Sequence, residues 1–170
     1  MKENFTGKVW KLGDDIDTDI IIPTQFLALK SVEDMKKYAF HPLRPELASL
    51  IQPGDIIVAG KNFGCGSSRE QAPEIIAALK VGCIIAKSYA RIFYRNAFNN
   101  GLLLLENDVL YDRCNEGDQV AVNLENSQVF LGEEAFPVVS IPGELLQMVQ
   151  AGGLVPFMRK KNGNKLAQRR

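Results

Sequence analysis

The sequence predicts an α/β fold with a parallel sheet at its centre and a β-rich flank. Two observations carry that reading. Between residues 55 and 105, apolar strands (55–60, 81–86, 102–105) alternate with helical stretches (71–80, 88–99), a βαβαβ order whose crossovers make the strands run parallel. Beyond residue 105 the pattern changes to a hairpin, with strands 119–124 and 128–131 joined across Glu125-Asn126-Ser127. One domain is expected over residues 1–170, with a core from about 7 to 160, because 170 residues suffice for one buried core and no linker or repeat divides them.

The elements follow in order. Residues 7–12 alternate apolar and polar and predict a strand. Four acids then fall within seven residues, from Gly13 to Asp19. Calcium loops of the EF-hand type need glycine at position six and glutamate at twelve. Counting from Asp14, those positions hold Asp19 and Gln25, so an Asp-rich turn bonded to local N–H groups is the reading. Ile20-Ile21-Ile22 is a short buried segment stopped by Pro23. Ser31 caps a short helix over 32–39, residues 41–45 form a loop, and 46–51 make a helical turn before Pro53-Gly54. The helix over 71–80 sets Ala72, Ile75, Ile76 and Leu79 on one face, and Asn100-Gly101 stops the helix over 88–99. Helices are expected over 144–150, ended by Gly152-Gly153, and over 154–160. Arg159, Lys160, Lys161, Lys165, Arg169 and Arg170 then read as a solvated basic tail.

Twenty basic and twenty acidic side chains cancel, so no global field steers the chain to nucleic acid or an anionic membrane. The first residues, Met1-Lys2-Glu3-Asn4, do not form a secretory signal, and no apolar run is long enough to span a bilayer. Cys65, Cys83 and Cys114 are odd in number and widely spaced, which argues against a disulfide framework and for a reducing, cytoplasmic setting.

The chemistry concentrates in Gly64-Cys65-Gly66-Ser67-Ser68-Arg69-Glu70, between strand 55–60 and helix 71–80. A glycine-rich turn feeding a helix N-terminus presents unpaired N–H groups to an anion. Arg69 adds a planar fork suited to a carboxylate or phosphate, at the helix end where the dipole disfavours a cation. A capping box of serine and Glu70 would account for part of the loop, but not for the arginine or the paired glycines. The loop lacks the lysine of a Walker A motif and the second glycine of a hydrolase elbow. His41, the single histidine, lies in a proline-flanked loop, so a serine triad lacks its base. No metal-ligand set of the chain's own is visible. The loop can therefore hold an acid and place a hydroxyl, while any Lewis acid comes from elsewhere.

Three stretches carry a family resemblance: Asp17-Thr18-Asp19; residues 60–70; and residues 87–96, Lys-Ser-Tyr-Ala-Arg-Ile-Phe-Tyr-Arg-Asn. Together they resemble the 3-isopropylmalate dehydratase small subunits of the aconitase superfamily, over about residues 7–160. The resemblance implies the swivelling β/β/α domain that aconitase carries at its C-terminus. It also implies a separate large subunit bearing a [4Fe-4S] cluster, with no cofactor bound by this chain. It assigns the base to Ser67 and binding of a small dicarboxylic hydroxy acid to Ser68, Arg69, Thr18 and Asp19, with Asp19 orienting a histidine of the partner. After Asp19 the sequence departs from the family pattern, with Ile20 where a small polar residue is usual. Phe26, Leu27, Ala28 and Leu29 match the family's specificity loop. Relatives acting on acids with a further carboxylate place an arginine there, whereas here the stretch is apolar and Lys30 is the nearest cation. An isopropyl group suits such a lining, and an added carboxylate would be desolvated without a partner. Packing of these four residues into the core is the competing reading. The implied reaction is the interconversion of 2- and 3-isopropylmalate in leucine biosynthesis. Sibling reactions on dimethylmalate, citramalate or homoaconitate, or a stand-alone anion-binding domain, are the alternatives.

Overall fold

The computed structural model describes residues 4–167. Seven strands form one continuous mixed sheet in the order β4-β3-β2-β1-β5-β6-β7. β1 is Asn4–Lys11, β2 Ile56–Ala59, β3 Cys83–Ala86, β4 Leu104–Glu106, β5 Gln119–Asn123, β6 Gln128–Leu131 and β7 Glu134–Pro137. β1 pairs parallel with β2, as β2 does with β3 and β3 with β4. On its other edge β1 pairs antiparallel with β5, which continues through β6 to β7. The expected parallel centre and β-rich flank are thus two halves of one sheet, joined at β1.

Burial follows this division. All four residues of β2 and of β3 are buried, as befits parallel strands covered on both faces. In β5, by contrast, Val120 and Val122 are buried while Gln119, Ala121 and Asn123 keep some exposure, the alternation of a half-covered strand. Tyr89 ties the parallel layer together: its hydroxyl lies 2.8 Å from the Ile84 carbonyl and 2.9 Å from that of Leu105.

The helices are short at first. α1 is Thr18–Ile21, α2 Val32–Met35, α3 Leu47–Leu50, α4 Gln71–Ala78, α5 Arg91–Asn99, α6 Leu110–Arg113, α7 Gly143–Ala151 and α8 Leu154–Ala167. α4 packs against α2 and α5, and α5 packs in turn against α7 and α8. Ala72, Ile75, Ile76 and Leu79 are all buried, as their spacing predicts. The Ser31 hydroxyl accepts from the Asp34 N–H and caps α2, and a 3-10 turn, Lys36–Tyr38, completes the expected helix. Gly101 (φ +74°) follows the end of α5, and Gly152 (φ +87°) ends α7.

Several expectations need correction. Ile21 and Ile22 are buried as expected but Ile20 only partly, and Ile20 and Ile21 belong to a helical turn that Asp17 caps by accepting from the Ile20 N–H at 2.8 Å. Neither serine nor Glu70 makes a capping box: α4 begins at Gln71 with no side-chain cap. β7 and α6 were not anticipated. Helix α8 runs past residue 160, held by burial of Phe157 and a 3.0 Å ion pair from Lys161 to Glu144. Arg169 and Arg170 of the basic tail lie outside the described residues, as do Met1, Lys2 and Glu3.

Candidate active site

Three loops leave the carboxyl ends of the parallel strands β1, β2 and β3, and they meet. The loop after β1 carries the acids. Asp14 accepts from the Lys61 N–H at 2.7 Å, and Asp15 accepts from the Asn62 amide at 2.8 Å. A Cβ on Gly60 would lie 1.8 Å from the Asp14 carboxylate, so only glycine allows this approach. The acid-rich turn is therefore a clasp on the central loop, and only Asp17 serves its own local N–H groups as expected.

Thr18 continues the clasp. It is 2% exposed; its N–H donates to the Cys65 carbonyl at 2.9 Å and its hydroxyl to the Ser67 carbonyl at 2.9 Å. Its Oγ1 also lies 3.4 Å from Ser67 Oγ. With the Thr18 proton committed to the carbonyl, its oxygen is left to accept from the Ser67 hydroxyl. Among the described residues no carboxylate or imidazole lies within hydrogen-bonding reach of Ser67 Oγ. His41 stands edge-on to the rings of Phe26 and Tyr38 instead. Nor do the N–H groups of Ser67, Ser68, Arg69 and Glu70 donate to any described residue, so they remain open to an anion.

Arg69 is already engaged. Its Nη1 donates to the Ile22 carbonyl at 2.9 Å, and its Nη2 donates to Thr24 Oγ1 at 2.9 Å and lies 2.7 Å from Asp19 Oδ1. The arginine side chain is 16% exposed and the aspartate 59%, an ion pair worth under about 1 kcal/mol. A substrate carboxylate can displace so weak a partner. Burial, then the carboxylates of Asp17 and Asp15, push the Cys65 thiol above its ordinary range, which disfavours a nucleophilic role.

These elements enclose a cavity of about 340 Å³. One wall is Gly64, Gly66, Ser67, Ser68 and Arg69, with Thr18 at its base; the other is the start of α5, with Ala90, Arg91, Ile92, Phe93 and Asn96. Of the residues singled out in the sequence, Ser67, Ser68, Arg69 and Thr18 converge here, and Asp19 joins through Arg69. Phe26, Leu27, Ala28 and Leu29 do not line it. The Phe26 ring stacks on Tyr38 with centroids 3.9 Å apart, and Leu27 and Leu29 pack on the core. The α5 wall was missed, although Arg91 stands in a first helical turn just as Arg69 stands beside one. Among the described residues no group of three or more His, Cys, Asp or Glu side chains could hold a metal ion; Cys83 and Cys114 are buried apart from Cys65. The donor set of the described residues does not fit a cluster.

Comparison with known proteins gives a consistent answer. The aconitase C-terminal domain family matches residues 24–109. The chain is 66% identical to the 3-isopropylmalate dehydratase small subunit of Lachnospira eligens, over 96% of this chain and 99% of that one. It is 41% identical to the isopropylmalate/citramalate isomerase small subunit of Methanocaldococcus jannaschii, over 95% of this chain and 97% of that one. The solved structure of 3-isopropylmalate dehydratase from M. jannaschii matches with a TM-score of 0.90 at 34% identity, covering 97% of this chain and 99% of that one. With a cavity built from the same loop that carries the resemblance, the chain belongs to the 3-isopropylmalate dehydratase small-subunit family of the aconitase superfamily.

Proposed function

We propose that this chain is the small subunit of a hydro-lyase that interconverts 2-isopropylmalate and 3-isopropylmalate, the isomerisation step of leucine biosynthesis, in the cytoplasm. The observation that carries the reading is the convergence of Ser67, Thr18 and Arg69 on one cavity at the carboxyl ends of β1 and β2. A cluster-bearing large subunit would complete the site and would supply Lewis-acid chemistry toward the substrate hydroxyl. The remaining roles belong to this chain. Ser67 Oγ removes the proton from the carbon next to that hydroxyl. It returns the proton when water adds back to the alkene acid at the exchanged position. An alkoxide at Ser67 is supported by the open N–H groups of the loop and by Arg69. Ser68 and Arg69 hold a substrate carboxylate. Asp19 has an oxygen beyond the one that meets Arg69, and it turns that oxygen to a histidine of the large subunit. Phe26 to Leu29 lie outside the cavity lining, and with Ala28 exposed this apolar segment selects an alkyl group over a further carboxylate once the large subunit completes the site.

Citramalate is the second reading, because the M. jannaschii relative is named for both acids. Both readings are tested by the chain paired with its large subunit and assayed against a panel of malate derivatives. Ser67→Ala should leave subunit co-elution intact and lower turnover by on the order of 10²–10⁴-fold, the usual contribution of a general base. A Ser67→Ala enzyme turning over at the wild-type rate would remove the base assignment. A chain that binds acids but recruits no cluster-bearing subunit would make it a binding module.

A further inference from the structure

Arg91 opens α5, on the cavity wall facing the Ser67 loop, and it is exposed. It makes no ion pair with any described residue, whereas Arg69 across the cavity is held by Asp19, Thr24 and Ile22. The first turn of α5 carries no acidic residue, and its N-cap, Ala90, has no side-chain bond to give. A cation at that end of a helix opposes the helix dipole, so neither the helix nor a partner side chain explains its placement. The substrate class proposed above carries two carboxylates, and Ser68 and Arg69 account for one. Arg91 offers the second bidentate fork, on the opposite wall of a cavity with room for an acid of this size.

We infer that Arg91 is a substrate-binding residue that takes the second carboxylate of the dicarboxylic acid. This rests on the proposed function, and two readouts keep the two apart. The assembled enzyme, with its large subunit, is compared as wild type, Arg91→Lys and Arg91→Ala. Arg91→Ala should co-elute with the large subunit, raise KM for 3-isopropylmalate at least tenfold and change kcat less than threefold, with Arg91→Lys recovering part of the loss. A KM within twofold of wild type, or loss of co-elution, would overturn the assignment, the latter by making Arg91 an interface residue. Independently of turnover, 3-isopropylmalate should protect Arg91 of the wild-type pair from phenylglyoxal, read by peptide mass spectrometry. Equal labelling with and without the acid also overturns it. Protection in a pair that does not isomerise the acid would leave Arg91 standing and sink the isomerase reading.

Discussion

Gly64 shows how tightly the two walls of the cavity meet. Its φ is +78°, and a Cβ there would lie 2.1 Å from the Phe93 ring. The loop can sit on α5 only because this position has no side chain. Gly64→Ala combines a left-handed backbone penalty with overpacking against an aromatic ring, and should cost roughly 2–4 kcal/mol. Denaturant titration checks this, and a loss below 0.5 kcal/mol, about the size of a neutral surface change, would mean that loop and helix part easily. The serines, the arginine and the glycines of this loop were legible in the sequence, because their types and order already describe an anion site. The partners of Arg69 were not. Asp19, Thr24 and Ile22 lie more than forty positions away, and no local pattern announces an ion pair closed by the fold.

Among the elements, β3 makes the sharpest claim. Cys83 is fully buried in it, and burial alone drives its thiol far above the ordinary range. Tyr89, just beyond, is likewise pushed well up by burial. A group whose folded pKa is raised stabilises fully below its unfolded pKa and loses that contribution as pH climbs. Stability should therefore decline from about pH 8.5, where an unfolded thiol begins to ionise, and more steeply from about pH 10 as the phenol joins. Each group contributes a slope of about 1.4 kcal/mol per pH unit. Cys83→Ala should flatten the pH 8.5–10 slope by one such increment in denaturant melts, and an unaltered slope would remove Cys83 from the account. The strands and helices of the parallel half were readable because each is a continuous apolar run or a 3.6-residue pattern. β7 and α6 were not. β7 is four residues ending in a proline, joined to β6 by the two-residue turn Gly132-Glu133. α6 begins where the Asn107 side chain accepts from the N–H groups of Val109 and Leu110, a cap visible only as one asparagine in the sequence.

At the scale of the whole molecule, β1 decides whether the parallel and antiparallel halves act as one. It carries Trp10, the single tryptophan, whose indole N–H donates to the buried Asp55 carboxylate at 2.7 Å beside β2. One core cluster runs from Val9 through the parallel strands to Val120, Val129 and Phe136 of the other half. Trp10 fluorescence and far-ultraviolet circular dichroism should therefore report a single thermal transition with one midpoint. Two separated midpoints would show that the halves melt independently. No helix among the described residues is long and apolar enough to cross a membrane. The central position of β1 also sets the order of events at birth. A ribosome delivers Phe5 long before Val122, the residue it must sit beside, so the sheet stays open at its middle until β5 has emerged. Through most of translation the nascent chain thus shows sticky strand edges to the cell, and chaperones have their longest opportunity at this strand.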